Sequence, residues 1–257
     1  MLAVRMISSL LRRFALLVAM VVVAAAARAE LPIIAKARAF VGPDAALEAV
    51  KSIHYVGSFI TPDPTDAKKM TFVTIEIIIQ APYQQRIVAS SDRSVETTAL
   101  DGYDAWHRVQ DPKNPKAWRL SIIGKEQIRR LRANTWENLA FYRGLEREGG
   151  KVVDLGRVTT DGIECQKVAF VHGDNLTFIR YFELATGRLV MTDAGNGVFV
   201  REQGELRVNG VRFPKSVATT TPGPNGQPQT VTITFDKITV NEPFSSNLFA
   251  IPPLTAR

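Results

Sequence analysis

The sequence predicts an α+β protein. Its main body is a strongly curved antiparallel sheet, an unclosed half-barrel of about ten or eleven strands with helices on the concave face. Three observations carry this. Short runs of alternating apolar residues recur from Tyr55 to Val240 with turn residues between them, the pattern of consecutive hairpins. One long amphipathic segment, Lys125–Glu146, interrupts them. A meander of this length must curl, close or split into layers, and two helices suit the opening of an incompletely closed barrel.

The chain opens on Arg5, Arg12 and Arg13, followed by the apolar run Phe14–Ala26 and by Ala27-Arg28-Ala29. This is the pattern of a cleaved signal peptide over 1–29. The run falls short of the ~20 apolar residues that span a bilayer. No cysteine lies near the expected cut, so acylation there is not expected. Residues 30–257 are then one periplasmic domain. The +7 formal charge of the whole chain falls to +3 once the four arginines of the leader are removed. That takes most of the support from a nucleic-acid partner, which calls for a clustered basic face. An apolar content of 46% is ample for a core. Cys165 is the one cysteine, which excludes an internal disulfide and a multi-cysteine metal site.

In chain order, Pro43–Ile53 is an early helix with Leu47, Val50 and Ile53 on one side, and Tyr55–Thr61 is a first strand. Met70–Gln80 is the strongest strand, with Val73, Ile75, Ile77 and Ile79 on one face and a mixed set on the other. Ala81-Pro82 breaks it, and Tyr83–Ser90 returns with Arg86. Ser94–Leu100, the turn Asp101-Gly102, Asp104–Val109 and Ala117–Ile123 lead to the long helix. On that helix Ile128, Leu131, Thr135, Leu139 and Tyr142 make one stripe, which Trp136 widens. Strands then resume from Val152, with tight turns at Asp161-Gly162, Thr186-Gly187 and Asn209-Gly210. Val211–Thr219 is read as one strand. In the last, Val231–Phe235, the apolar phase slips at Lys237, which predicts a bulge. Asn241–Pro253 is expected to be an ordered strap.

These features resemble the periplasmic lipoprotein carriers of the LolA-like and LolB-like family. The likeness rests on the early helix leading into a strand (Ala45–Phe59), the proline-broken strand followed by an arginine (Ile75–Arg86), and Asp101-Gly102 followed by Trp106. It rests also on the central helix, on Gly210-Val211-Arg212-Phe213-Pro214, and on Asn241-Glu242-Pro243-Phe244 with Leu248-Phe249 and Pro252. The resemblance implies a bent sheet whose hollow, covered by helices, holds acyl chains of a lipid or lipoprotein. Inner- or outer-membrane transport and acceptor proteins would be partners. It also implies an alternative, a lipid-sensing module of envelope-stress signalling. Many carriers have an arginine before the proline of the long strand, as a latch; here that residue is Ala81.

No catalytic motif is present in the sequence: there is no G-x-S-x-G, P-loop, dinucleotide fingerprint or H-E-x-x-H. His54, His107 and His172 are far apart and lack partners at ligand spacing, so no metal or cofactor and no enzyme activity are expected. Cys165 reads as a small buried residue. Arg129-Arg130-Leu131-Arg132 is read as a solvated face, or as a site for an anionic headgroup. The expected cavity lining is Ile75, Ile77 and Ile79 of the long strand, Tyr83 and Arg86 of its return, and Trp106, Trp118 and Phe178 of other strands. The helix adds Ile128, Leu131, Trp136, Leu139 and Tyr142. A sixteen-carbon chain buried there gains ~12 kcal/mol gross at ~0.8 kcal/mol per methylene, so such a site has no need of a polar motif. The protein is expected to be a monomer. The competing expectation is an ordinary packed core with no hollow.

Overall fold

The computed structural model describes residues 30–253 except 64–65, 174–175 and 224–225. The segment read as a signal peptide lies outside the described residues. Among the described residues no helix is long and apolar enough to cross a membrane.

Two helices, α1 (Pro32–Val41) and α2 (Asp44–Ala49), precede six strands: β1 (Ser52–Asp63), β2 (Asp66–Gln80), β3 (Gln84–Ser90), β4 (Val95–Asp101), β5 (Asp104–Gln110) and β6 (Trp118–Ile122). Helix α3 (Lys125–Ala140) and a 3₁₀ turn (Leu145–Glu148) follow. The second run of strands is β7 (Lys151–Thr160), β8 (Ile163–Val171), β9 (Thr177–Glu183), β10 (Leu189–Asp193), β11 (Phe199–Gln203), β12 (Leu206–Val208), β13 (Val211–Phe213), β14 (Ser216–Pro222) and β15 (Pro228–Val240).

Thirteen strands form one sheet in the order β6-β5-β4-β3-β2-β1-β15-β14-β11-β10-β9-β8-β7, and β12 pairs with β13 apart from it. Every pairing is antiparallel, and β6 and β7 do not pair, so the sheet is open. The expected ten or eleven strands are thus too few. One reason is Pro214, which has no N–H for a ladder. The stretch read as a single strand breaks there into β13 and β14, which serve different sheets.

The topology dictates where α3 goes. The first meander runs from the centre of the sheet out to β6, and the second begins at the opposite edge with β7. Residues 123–150 must therefore cross from edge to edge, and at 1.5 Å per residue the sixteen residues of α3 span about 24 Å of that path. The helix touches β2, β3 and β4. It stops at Ala140, earlier than the sequence suggests, because Phe141 and Tyr142 both take positive φ (46° and 73°). Arg38 of α1, itself buried, secures that end: Nη1 donates to the carbonyls of Phe141 (2.9 Å) and Ala140 (3.2 Å). A cation over orphan carbonyls at a helix C-terminus satisfies both the hydrogen bonds and the dipole. Its Nη2 also pairs with Asp44 of α2 at 2.7 Å.

The early helix is shorter than expected, with Pro43 as its N-cap and Ala49 as its last residue. Leu47, Val50 and Ile53 are nonetheless buried, the last of them from β1. Helix α1 has no counterpart in the sequence reading. Ile34 and Ala37, three apart on its buried face, were its available signal.

The bulge expected near Lys237 is present. Val56 pairs with Lys237 and Gly57 with Phe235, so Asp236 is skipped and the apolar parity changes. Asn209 and Gly210 both have positive φ, as a two-residue hairpin turn requires. At the bulge the strands approach so closely that a Cβ on Gly57 would stand 2.2 Å from the Thr234 carbonyl oxygen. Gly57→Ala is therefore expected to cost about 1–3 kcal/mol, the usual range for overpacking, in urea unfolding monitored by circular dichroism.

Cross-strand partners share a face, which fixes what each strand shows to either side. Ile238, Tyr55, Ile77 and Ile87 form one row on the inner face, the one under α3. Thr239, His54, Ile78, Arg86, Ala99, Trp106 and Ile122 form a row on the outer face. Residues 241–253 cross that outer face as the expected strap. Phe244 meets His54 edge-on at 5.3 Å, and Phe249, wholly buried, accepts a hydrogen bond from Trp106 Nε1 at 2.9 Å.

Candidate functional site

Inside the open sheet, beneath α3, is a cavity of about 340 Å³. Its apolar wall includes Ile77, Ile87, Val200, Val217, Ile233 and Phe235 from the sheet, with Phe178 from the second meander and Phe213 from the small hairpin. Strands far apart in the sheet order thus face one space, which requires the sheet to bend. At one end the interior is solid: Leu47, Val50, Ile53, Tyr55, Ile79, Phe141, Val211, Phe213, Phe235 and Ile238 form a packed cluster, with Leu139 against it.

The wall is not uniformly apolar. Helix α3 presents Asn134, Glu137 and Asn138 to the cavity, a stripe at intervals of three and four, and Phe141 lines the cavity just past the helix end. This stripe is rotated about one residue from the apolar one that the sequence displays. Thr135 faces the first meander instead, its Oγ1 3.1 Å from Gln85 Oε1.

Glu137 joins the helix to the second meander. It is buried, with Oε1 2.5 Å from His172 Nε2 and Oε2 against Arg180 Nη1 as an ion pair. The Arg180 guanidinium also lies 4.8 Å from the ring centres of Tyr142 and Phe170. Farther along α3, Arg130 donates to the Ala194 carbonyl beyond β10 at 3.0 Å. On the other side Arg132 is stacked on Tyr83 (3.8 Å) and Tyr103 (4.0 Å) and donates to the Gly102 carbonyl at 2.8 Å. The helix is therefore tied to both halves of the sheet. The basic run of α3, read as a solvated face, spends Arg130 and Arg132 on these contacts and pairs Arg129 with Glu126 at 3.2 Å.

Two more charged groups line the cavity. Glu202 of β11 is exposed and lines the hollow. Desolvation raises its pKa above the ordinary carboxylate value, and Arg180 acts in the opposite direction. Burial, aided by Glu202, likewise raises the hydroxyls of Tyr55 and Tyr142. Arg212 of β13 stacks on Phe40 at 4.2 Å and pairs with Glu205. A carboxyl whose folded pKa exceeds its unfolded one favours folding only while protonated, and that contribution is lost as pH rises through the folded value. Because Glu202 is exposed and screened by water, Glu202→Gln is expected to be only slightly more stable than the parent at pH 7, and that small advantage to shrink as pH falls toward 4.5. Thermal melts across that range check it.

Of the residues expected to line the cavity, Ile77, Ile79, Tyr142 and Phe178 do. Ile75 shares their face and is buried, but lies beyond the wall. The others are elsewhere. Tyr83 clamps Arg132 and donates to Glu148; burial, with that hydrogen bond second, pushes its hydroxyl up to about 12. Arg86 pairs with Glu76 at 3.0 Å on the outer face. Trp106 is under the strap. Trp118 has the outer-face parity and is 41% exposed. Ile128 and Leu131 are half-buried on α3 away from the wall, Trp136 packs on His172 at 5.5 Å, and Leu139 belongs to the solid cluster. Both faces of β2 are apolar, so alternation alone could not choose between them.

The histidines acquire partners that sequence spacing did not show. His54 sits between Glu242 (2.9 Å) and Glu76 (3.2 Å), His107 lies 3.5 Å from Glu96, and His172 meets Glu137. Strand pairing and the helix crossing create all three. Cys165 is buried, and burial pushes its thiol up, away from nucleophilic use.

Fold and cavity together define an open antiparallel-sheet protein of the LolA-like architecture with an internal pocket. A LolA superfamily protein from Nitrosomonas europaea superposes with a TM-score of 0.52 at 9% identity, over 85% of this chain and 96% of the other. A domain assigned as an outer membrane lipoprotein-sorting protein, from Vibrio parahaemolyticus, gives 0.52 at 10% identity over 84% and 94%. A DUF1329 family protein from Desulfovibrio piger gives 0.53 at 8% identity over 85% and 95%. At these identities the likeness is one of fold. No family model matches the chain, and no curated protein matches it by sequence.

Proposed function

We propose that this protein is a periplasmic carrier that shelters an acyl chain of a lipid or lipoprotein in the cavity between the sheet and α3. In this reading α3 is the lid, and the protein carries out no chemistry of its own. The observation that carries the proposal is the hollow itself: a fold with ample apolar side chains leaves about 340 Å³ unfilled and lines most of it with aliphatic and aromatic groups. Ligand pockets commonly run from about 300 to 1,000 Å³, so this one sits at the small end and suits one chain better than several. Each buried methylene contributes about 0.8 kcal/mol, and ten of them outweigh the ordering of a flexible chain. The shared fold with a domain named for lipoprotein sorting supports the same reading, as does the leader-like segment before Glu30.

The test is uptake of a fluorescent sixteen-carbon acyl probe by the purified chain, with Val217→Trp as the blocked form. Micromolar uptake by the parent and at least a tenfold loss in the folded variant support the carrier. A parent that takes up no probe, and emerges from its own host free of lipid in native mass spectrometry, sinks it. A protein partner retained from host membranes without lipid would favour the sensing module instead.

A further inference from the structure

We infer that the polar end of the cavity recognises the anionic head of a single-chain lipid, a carboxylate or a phosphate, through Arg180 and Arg212; this rests on the acyl-binding reading above and names its ligand. Arg180 is only 8% exposed, and among the described residues its Nε has no hydrogen-bond partner. Arg212 Nε is buried and equally without one. Both side chains line the same hollow. Buried guanidinium N–H groups are costly to leave unsatisfied, and a planar fork of donors matches the two oxygens of a carboxylate or the oxygens of a phosphate.

The groups already present do not use up this capacity. Glu137 divides its oxygens, one to His172 and one to Arg180 Nη1. Glu205 holds Arg212 through Nη1. Glu202, exposed on the same wall, is a second carboxyl whose charge competes with an incoming anion, and desolvation raises its pKa. Beside these groups Ile77, Ile87, Phe178 and Val200 offer the tail an apolar wall. A ligand that is wholly hydrocarbon would lay alkane against the two guanidinium groups that line the wall. An anionic head satisfies them.

The probes are hexadecanoate, hexadecyl phosphate and hexadecanol, each below its micelle concentration, titrated into the purified chain by calorimetry. At least one anion is expected to bind ten or more times tighter than the alcohol, and comparison of the two anions tells carboxylate from phosphate. Arg212→Gln should bring that ratio close to one without weakening hexadecanol. Glu202→Gln, which removes the competing charge, should increase the ratio and remains readable if the arginine variant does not fold. Equal affinity for the alcohol and both anions overturns head recognition and leaves the acyl-binding cavity standing. An unchanged ratio in folded Arg212→Gln also overturns it. No binding by any probe overturns both.

Discussion

Arg180→Leu is expected to destabilise the protein by about 3–5 kcal/mol, the usual result of removing one partner from a buried ion pair. The reason is what remains. Glu137 is 6% exposed and, among the described residues, keeps the His172 ring beside it. Its carboxylate would be left largely buried without its guanidinium, which is unfavourable. Much of the cost should vanish in the double variant Glu137→Leu/Arg180→Leu, because an apolar pair of suitable size is often as stable as a buried ion pair. Urea denaturation of the parent, both single variants and the double variant closes the cycle. A single variant as stable as the parent would show that the pair does not hold α3 to the second meander. The pair links α3 to β9 in the second meander.

That link was the least legible part of the chain. Alternation, turn residues and the parity slip at Lys237 located most strands and the bulge, because these signals are local. The ends and rotation of α3 are not local. Phe141 and Tyr142 are poor residues for positive φ, and what holds them there is Arg38, about a hundred positions earlier. The apolar stripe of α3 pointed to Ile128, Leu131 and Leu139 as cavity wall, yet Asn134, Glu137 and Asn138 face the hollow. An apolar stripe seeks the packed core, and the lining of a hollow has no reason to follow it. Gln85, Arg180, Glu202 and Arg212 were missed for a related cause: single polar residues inside strands carry no spacing signal until pairing brings them together. Ile233 and Phe235 had such a signal, in the alternation with Thr232 and Thr234 on the last strand, and both line the cavity.

The outer face gives the second large effect. Phe249→Ala is expected to lower stability by about 3–5 kcal/mol, as for other large aromatic side chains removed from a core. Phe249 is wholly buried, and its carbonyl takes the Trp106 indole hydrogen at 2.9 Å, so loosening the strap also strands a buried donor. The same strap anchors Phe244 on His54, whose two nitrogens reach Glu242 and Glu76. The milder Trp106→Phe removes the indole N–H and little bulk, and should cost about 1 kcal/mol. Because row parity places Trp106 on the side of the sheet away from the cavity, neither variant should change acyl-probe affinity more than twofold while it remains folded. Denaturant unfolding and probe titration on the same samples separate the two quantities. A tenfold loss of affinity in folded Trp106→Phe would return that tryptophan to the cavity wall and contradict the face assignment of the whole first meander.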